Sequence, residues 1–130
     1  MTLNDPVSSA LSAILNAERI GNTTMIVKPT SKLIKGVLTI LKENLYLGEY
    51  TEVEDGRGNY LTVNLLRRIN KCGAIKPRYP VALADYEKFE KRYLPAKDFG
   101  ILIVSTPKGL MTHIAAKKQK IGGRLLAYCY

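Results

Sequence analysis

The chain has 130 residues, 46% hydrophobic and 24% charged; that suits one compact domain or two small ones packed together and excludes a disordered or low-complexity chain. No apolar run approaches the roughly 18–20 residues that cross a bilayer, and the opening MTLNDPVSSA lacks the basic start and apolar stretch of a secretory signal, so a cytoplasmic protein with no membrane partner is expected. The net charge of +9 is lopsided: residues 1–66 hold six basic and seven acidic groups, residues 67–130 hold 14 and four, a segregation that favours a polyphosphate partner over a merely solvated face.

NDPVSSALSAILNAERIG predicts a helix. Asn4 or Asp5 caps it, Pro6 suits its first turn, Ala10, Leu11, Ile14 and Leu15 share one face, and Gly21 stops it. TMIVK predicts a short strand ended by Pro29. TSKLIKGVLTILKEN predicts a second amphipathic helix, capped by Thr30 or Ser31, with Ile34, Val37, Leu38, Leu41 and Leu45 facing inward. LGEYTEVE and NYLTVNLL alternate as paired strands around the turn signal DGRG. The first half is therefore α-β-α-β-β.

The second half begins near RRINKCG. AIKPRYPV is extended, because its two prolines forbid a helix. DYEKFEKRYL is a short helix closed by Pro95, FGILIVST a buried strand and GRLLAYCY a final strand. THIAAKKQKIGG predicts one or two capped helical turns. The expected fold is α+β: an N-terminal α-β-α-β-β domain over residues 1–66, packed against a basic, mostly β C-terminal domain with short helices over residues 67–130.

VSTPKGLMTH, Val104 to His113, gathers hydroxyls, a lysine, a glycine and the only histidine of the chain. A Ser/His hydrolase would use Ser105 or Thr106 with His113 as base. No GxSxG elbow is present, and three of the four carboxylates of this half fall on the short helix DYEKFEKRYL, where a solvated face is expected; His113 is expected as a surface histidine opening a helical turn. A P-loop is excluded, since STPKGLMT lacks its first glycine. A polyanion fits more of the loop. Ser105 and Thr106 offer hydroxyls to phosphate, base edge or ribose 2′-OH, Pro107 and Gly109 suit a tight turn, and Lys108 stands at its tip as a point charge.

Arg67, Arg68, Lys71, Lys76 and Arg78, then Lys117, Lys118, Lys120 and Arg124, extend the basic surface. Gly122 and Gly123 permit close approach of a backbone. Thr30, Ser31 and Lys32 place two hydroxyls and an ammonium at a helix N-terminus that attracts phosphate, or that is simply capped. Tyr86, Phe89 and Tyr93 have the spacing of a core face rather than of a stacking platform. Cys72 and Cys129 form no CxxC and, with a single histidine, no zinc set. They are expected as two reduced thiols, with no metal and no cofactor.

ILIVSTPKGLMTHIAAKKQKIGGRLLAYCY resembles the C-terminal signature of the small-subunit ribosomal protein eight family: a strand, Ser-Thr-x-x-Gly, a short helix, Gly-Gly and a last strand. DPVSSALSAILNAERIG and KPTSKLIKGVLTILKENLYLGEY resemble its first helix and its next strand and helix, while INKCGAIKPRYPV and EKFEKRYLPAKDFG are similar to its archaeal and eukaryotic branch. The resemblance implies a non-enzymatic constituent of the small ribosomal subunit that binds 16S-type rRNA at a central-domain helix with an irregular core, supports assembly of the subunit platform, and has neighbouring small-subunit proteins as partners and no small-molecule substrate. It implies RNA reading by the loop of Ser105, Thr106 and Gly109 and by the segment Thr30, Ser31 and Lys32. A general DNA-compacting protein is the other binding alternative.

Overall fold

The computed structural model describes residues 6–27, 32–54, 56, 59–75, 78–96 and 99–130. The chain divides into two compact units, residues 1–70 and 71–130.

The first unit runs α1 (Pro6–Ile20), β1 (Thr24–Val27), α2 (Lys32–Glu43), β2 (Leu47–Val53) and β3 (Tyr60–Leu65). Its strands form an antiparallel sheet in the order β1-β3-β2. Alternation along β3 buries Leu61, Val63 and Leu65 on one face, as a period of two requires. Tyr50 pairs with Val63 and so shares that face, and its phenol meets the Thr39 hydroxyl of α2 at 2.8 Å. The helices thus cover the apolar side of the sheet with Leu11 and Ile14 from α1 and Ile34, Val37, Leu38 and Leu41 from α2. Burial of each such side chain contributes about 1.5–3 kcal/mol. Lys35 and Glu52 add a half-exposed ion pair at 2.7 Å, a minor contribution of at most about 1 kcal/mol.

Leu45 departs from the expectation. The helix ends at Glu43, and Leu45, at φ 65, closes it. Its N–H donates to Lys42 O, the Tyr46 N–H to Leu41 O, and its side chain is 60% exposed. Ile40 takes an inward position instead. Gly21 ends α1 with the same pair of bonds, to Glu18 O and from Asn22 to Ala17 O.

The second unit runs β4 (Cys72–Ala74), β5 (Pro80–Val81), a 3-10 turn (Leu83–Asp85), α3 (Tyr86–Tyr93), β6 (Ile101–Thr106), β7 (Gly109–Thr112), α4 (His113–Gln119) and β8 (Gly123–Cys129). The sheet is antiparallel in the order β4-β8-β6-β7, with β5 also pairing β8. β6 and β8 are central; β6 is buried except at half-buried Ser105, and β8 is buried at Leu125, Leu126, Ala127 and Cys129, which explains why these stretches read as apolar runs without alternation. Leu102, Val104 and Leu125 pack with Tyr86, Phe89 and Leu94 from the α3 region and Ala116 of α4. Tyr86 and Phe89 are core residues, as their spacing predicts, and half-buried Tyr93 stacks on Tyr128 with ring centroids 5.6 Å apart. Leu94 is extended ahead of Pro95, whose ring disfavours the helical conformation there. Among the described residues no helix is long and apolar enough to cross a membrane.

Candidate nucleic-acid interface

β7 is the element the sequence does not announce. Four residues of half-buried pattern carry too little alternation to stand out. The signal that could have found it is the turn sequence TPKG between ILIVS and LMT, a hairpin cue. β6 and β7 pair Ser105 with Leu110 and Thr106 with Gly109, so Pro107 and Lys108 form a two-residue loop. Gly109 sits at φ +112 with open space where a Cβ would be; backbone conformation, not crowding, calls for glycine there.

Thr106 braces this tip from inside. Its hydroxyl donates to Gly109 O at 2.7 Å and accepts from the Lys108 N–H at 3.2 Å. The side chain is 8% exposed, and its one proton is committed to the turn. Ser105 differs: its side chain is half-buried, and its hydroxyl has no hydrogen-bond partner among the described residues. Ser105 also pairs with Arg124 of β8, and Arg124 with Pro80 of β5. Leu110, Ser105, Arg124 and Pro80 therefore form one row across four strands, with side chains leaving the same face of the sheet. Arg124 is exposed, as are Pro107, Lys108 and Gly109 at the tip.

Gly122 and Gly123 have an internal reason. A Cβ on Gly123 would run into the Ser105 carbonyl oxygen, and one on Gly122 into that of Val81. The close approach they permit is that of the protein's own backbone, and it seats Arg124 beside Ser105.

Lys118 and Lys120 are exposed on and just after α4. Lys120, at φ 55, ends the helix with bonds from its own N–H to Lys117 O and from Ile121 to Ala116 O. Lys117 is less available, because its ammonium is paired with the Glu90 carboxylate. Arg67 belongs to the first unit, where its guanidinium donates to Gly21 O at 3.0 Å and its backbone and charge both face Glu18; burial nevertheless holds the Glu18 carboxyl above its ordinary range. Arg68, Lys71 and Arg78 are exposed, and Lys32 is exposed at the start of α2. Thr30, Ser31 and Lys76 lie outside the described residues.

His113 and Glu90 correct two expectations. His113 is 3% exposed, not a surface residue. Its Nδ1 accepts from the Leu102 N–H at 3.1 Å, the β6 amide just beyond the last β7 pair, Ile103 with Thr112. Its Nε2 faces Glu90 at 3.0 Å. Glu90, expected on a solvated face, has a side chain only 15% exposed, between His113 and Lys117. A histidine-carboxylate pair does exist, then, but both imidazole nitrogens are engaged. Ser105 lies three residues further along β6 than Leu102, about 10 Å at the rise of a strand, so His113 does not activate it. Among the described residues no group of His, Cys, Asp or Glu could hold a metal ion.

Among the described residues, the arrangement is a positively charged hairpin face that presents the Ser105 hydroxyl and holds no catalytic constellation. The family model described as Ribosomal protein S8 matches residues 5–130, essentially the whole chain. The chain belongs to the ribosomal protein S8 family, whose members are structural, rRNA-binding proteins of the small ribosomal subunit and not enzymes.

Proposed function

We propose that this protein binds 16S-type rRNA directly, at a central-domain helix whose core holds unpaired bases, and supports assembly of the subunit platform beside neighbouring small-subunit proteins in the cytoplasm. The observation that carries this reading is the row of Ser105 and Arg124 beside a tip braced by Thr106. A hydroxyl held on a rigid strand end can read a base edge or a ribose 2′-OH in a non-helical site, where edges are splayed out of the stack. Arg124, Lys108, Lys118 and Lys120 supply charge for the flanking phosphates, and such contacts position without reading sequence. Gly122 and Gly123 act through Arg124, which they place; Pro107 and Gly109 act through the shape of the tip. Thr30, Ser31 and Lys32 form a second contact with the same RNA.

Titration of the intact protein with an rRNA helix fragment, a regular RNA duplex of equal length and a DNA duplex tests the proposal. The fragment binds tightest, and its log K falls linearly with log salt. Lys118→Ala and Lys120→Ala each weaken all three complexes by similar factors and reduce the slope by about 0.7–0.9 for every phosphate that is no longer neutralised. Equal affinity for the fragment and for DNA would replace this reading with general nucleic-acid compaction.

A further inference from the structure

Cys72 and Cys129 are far apart in the chain, one near each end of the second unit. The sheet makes them direct partners: Cys72 of β4 pairs with Cys129 of β8 in antiparallel register. The neighbouring pair, Lys71 and Tyr130, exchanges both backbone bonds, at 2.9 and 2.8 Å. In an antiparallel ladder the hydrogen-bonded and non-hydrogen-bonded pairs alternate. Cys72 and Cys129 therefore occupy a non-hydrogen-bonded pair, the position where side chains approach most closely, with Cα atoms about 4.5 Å apart. That lies inside the window of roughly 4.4–6.8 Å that a disulfide spans. Both side chains leave the same face of the sheet, both are buried, and they are not joined.

We propose that Cys72 and Cys129 form a dithiol oxidation site, which a peroxide converts into a cross-strand disulfide. Cys72 is the attacking residue, because β4 is a three-residue strand at the edge of the sheet, whereas β8 is paired on both sides. Short edge strands open more readily than central ones, and a thiol must be reached and ionised to react. The Cys72 thiolate sulfur attacks one peroxide oxygen, the O–O bond breaks and hydroxide leaves, giving a sulfenic acid. As β4 closes again, the Cys129 thiolate attacks that sulfur, forms the S–S bond and expels a second hydroxide. The two thiol protons convert the hydroxides to water, so two thiols and one peroxide yield one disulfide and two waters. Sulfur is oxidised and peroxide oxygen reduced. Without oxidant the pair stays as two thiols, as a reducing compartment dictates.

The bond would close nearly the whole second unit, with the Ser105 hairpin inside the loop. A cross-link over so long a loop restricts the unfolded chain and favours the folded one.

The folded wild-type protein is treated with dilute hydrogen peroxide, quenched, and examined by intact mass and peptide mapping. The expected result is loss of two hydrogens per chain, one peptide linking Cys72 to Cys129, and a higher Tm that dithiothreitol reverses. Cys129→Ser traps a sulfenic acid on Cys72, read with dimedone, while Cys72→Ser leaves Cys129 unlabelled. Addition of oxygen to either cysteine with no linked peptide in the wild type would overturn the proposal. So would a link that forms only after denaturation.

Discussion

The imidazole of His113 lies between strand and helix: Nδ1 accepts from the Leu102 N–H, and Nε2 meets Glu90 of α3 at 3.0 Å. It extends the ladder of β6 by one bond where β7 gives way to α4, and it ties α3 to that junction. His113→Ala is expected to leave a cavity, an amide without its acceptor and a mostly buried carboxylate with one partner fewer. Each is a recognised source of large losses, and together they should lower stability by about 2–4 kcal/mol. Urea denaturation measures this. RNA affinity of the fraction that stays folded should not change, which separates a packing role from a binding one.

Ser105 and Thr106 are adjacent in sequence, and opposite responses are expected from them. Ser105→Ala removes a hydroxyl with no hydrogen-bond partner among the described residues, so stability should stay within about 0.5 kcal/mol of wild type. Affinity for the rRNA fragment should fall about 3- to 10-fold, the worth of one hydrogen bond, while affinity for a regular duplex is nearly unchanged. Thr106→Val removes the brace across the tip, and stability should fall by about 1–2 kcal/mol. Paired denaturation and binding curves decide the matter. A stability loss for Ser105→Ala as large as that for Thr106→Val would reverse the assigned roles.

The elements legible in the sequence are those whose period is long enough to see. The stripe Ile34, Val37, Leu38 and Leu41 predicts α2, and the alternation of Leu61, Val63 and Leu65 predicts β3. ILIVST reads as buried because β6 is central, with neighbours on both edges. What was not legible depends on partners distant in the chain. β7 exists because β6 offers it an edge. His113 is buried because the next β6 amide lacks a backbone acceptor. Nothing local to Gly122 and Gly123 says that Val81 and Ser105 lie against them, and nothing local to Cys72 puts it opposite Cys129. Composition finds the basic half, but it cannot separate Lys117, held by Glu90, from Lys118 and Lys120, or show that the Thr106 hydroxyl is used within its own turn.

Leu45 and Gly21 end helices with the same bonds but different residues. The left-handed conformation costs an ordinary L-residue roughly 1–2 kcal/mol, and glycine escapes most of that. Leu45, at φ 65 and largely exposed, gains little from its side chain. Leu45→Gly is therefore expected to raise stability by about 1 kcal/mol, net of the greater freedom of glycine in the unfolded chain. Gly21→Ala, at φ +91, should lower it by a similar amount. Denaturant midpoints of the two variants, at unchanged slope, check both signs.

Tyr86 sets an alkaline limit. Its side chain is fully buried, its hydroxyl donates to Ile121 O at 2.9 Å, and burial pushes its phenol above the ordinary value of 10.0. Below pH 10 the folded and unfolded chains both keep this proton, and stability does not depend on it. As pH rises past 10, the unfolded chain loses the proton while the folded chain retains it. The folded state then binds more protons, so stability falls with rising pH until the folded phenol itself ionises. Tyr128 is shifted in the same direction, chiefly by burial, and adds to the slope. The expected outcome is a Tm that declines more steeply above pH 10 in the wild type than in Tyr86→Phe. The variant starts lower by about 1 kcal/mol at neutral pH, through loss of the bond to Ile121. Parallel curves for the two proteins between pH 9 and 11 would show that the Tyr86 phenol ionises alike in the folded and unfolded chains.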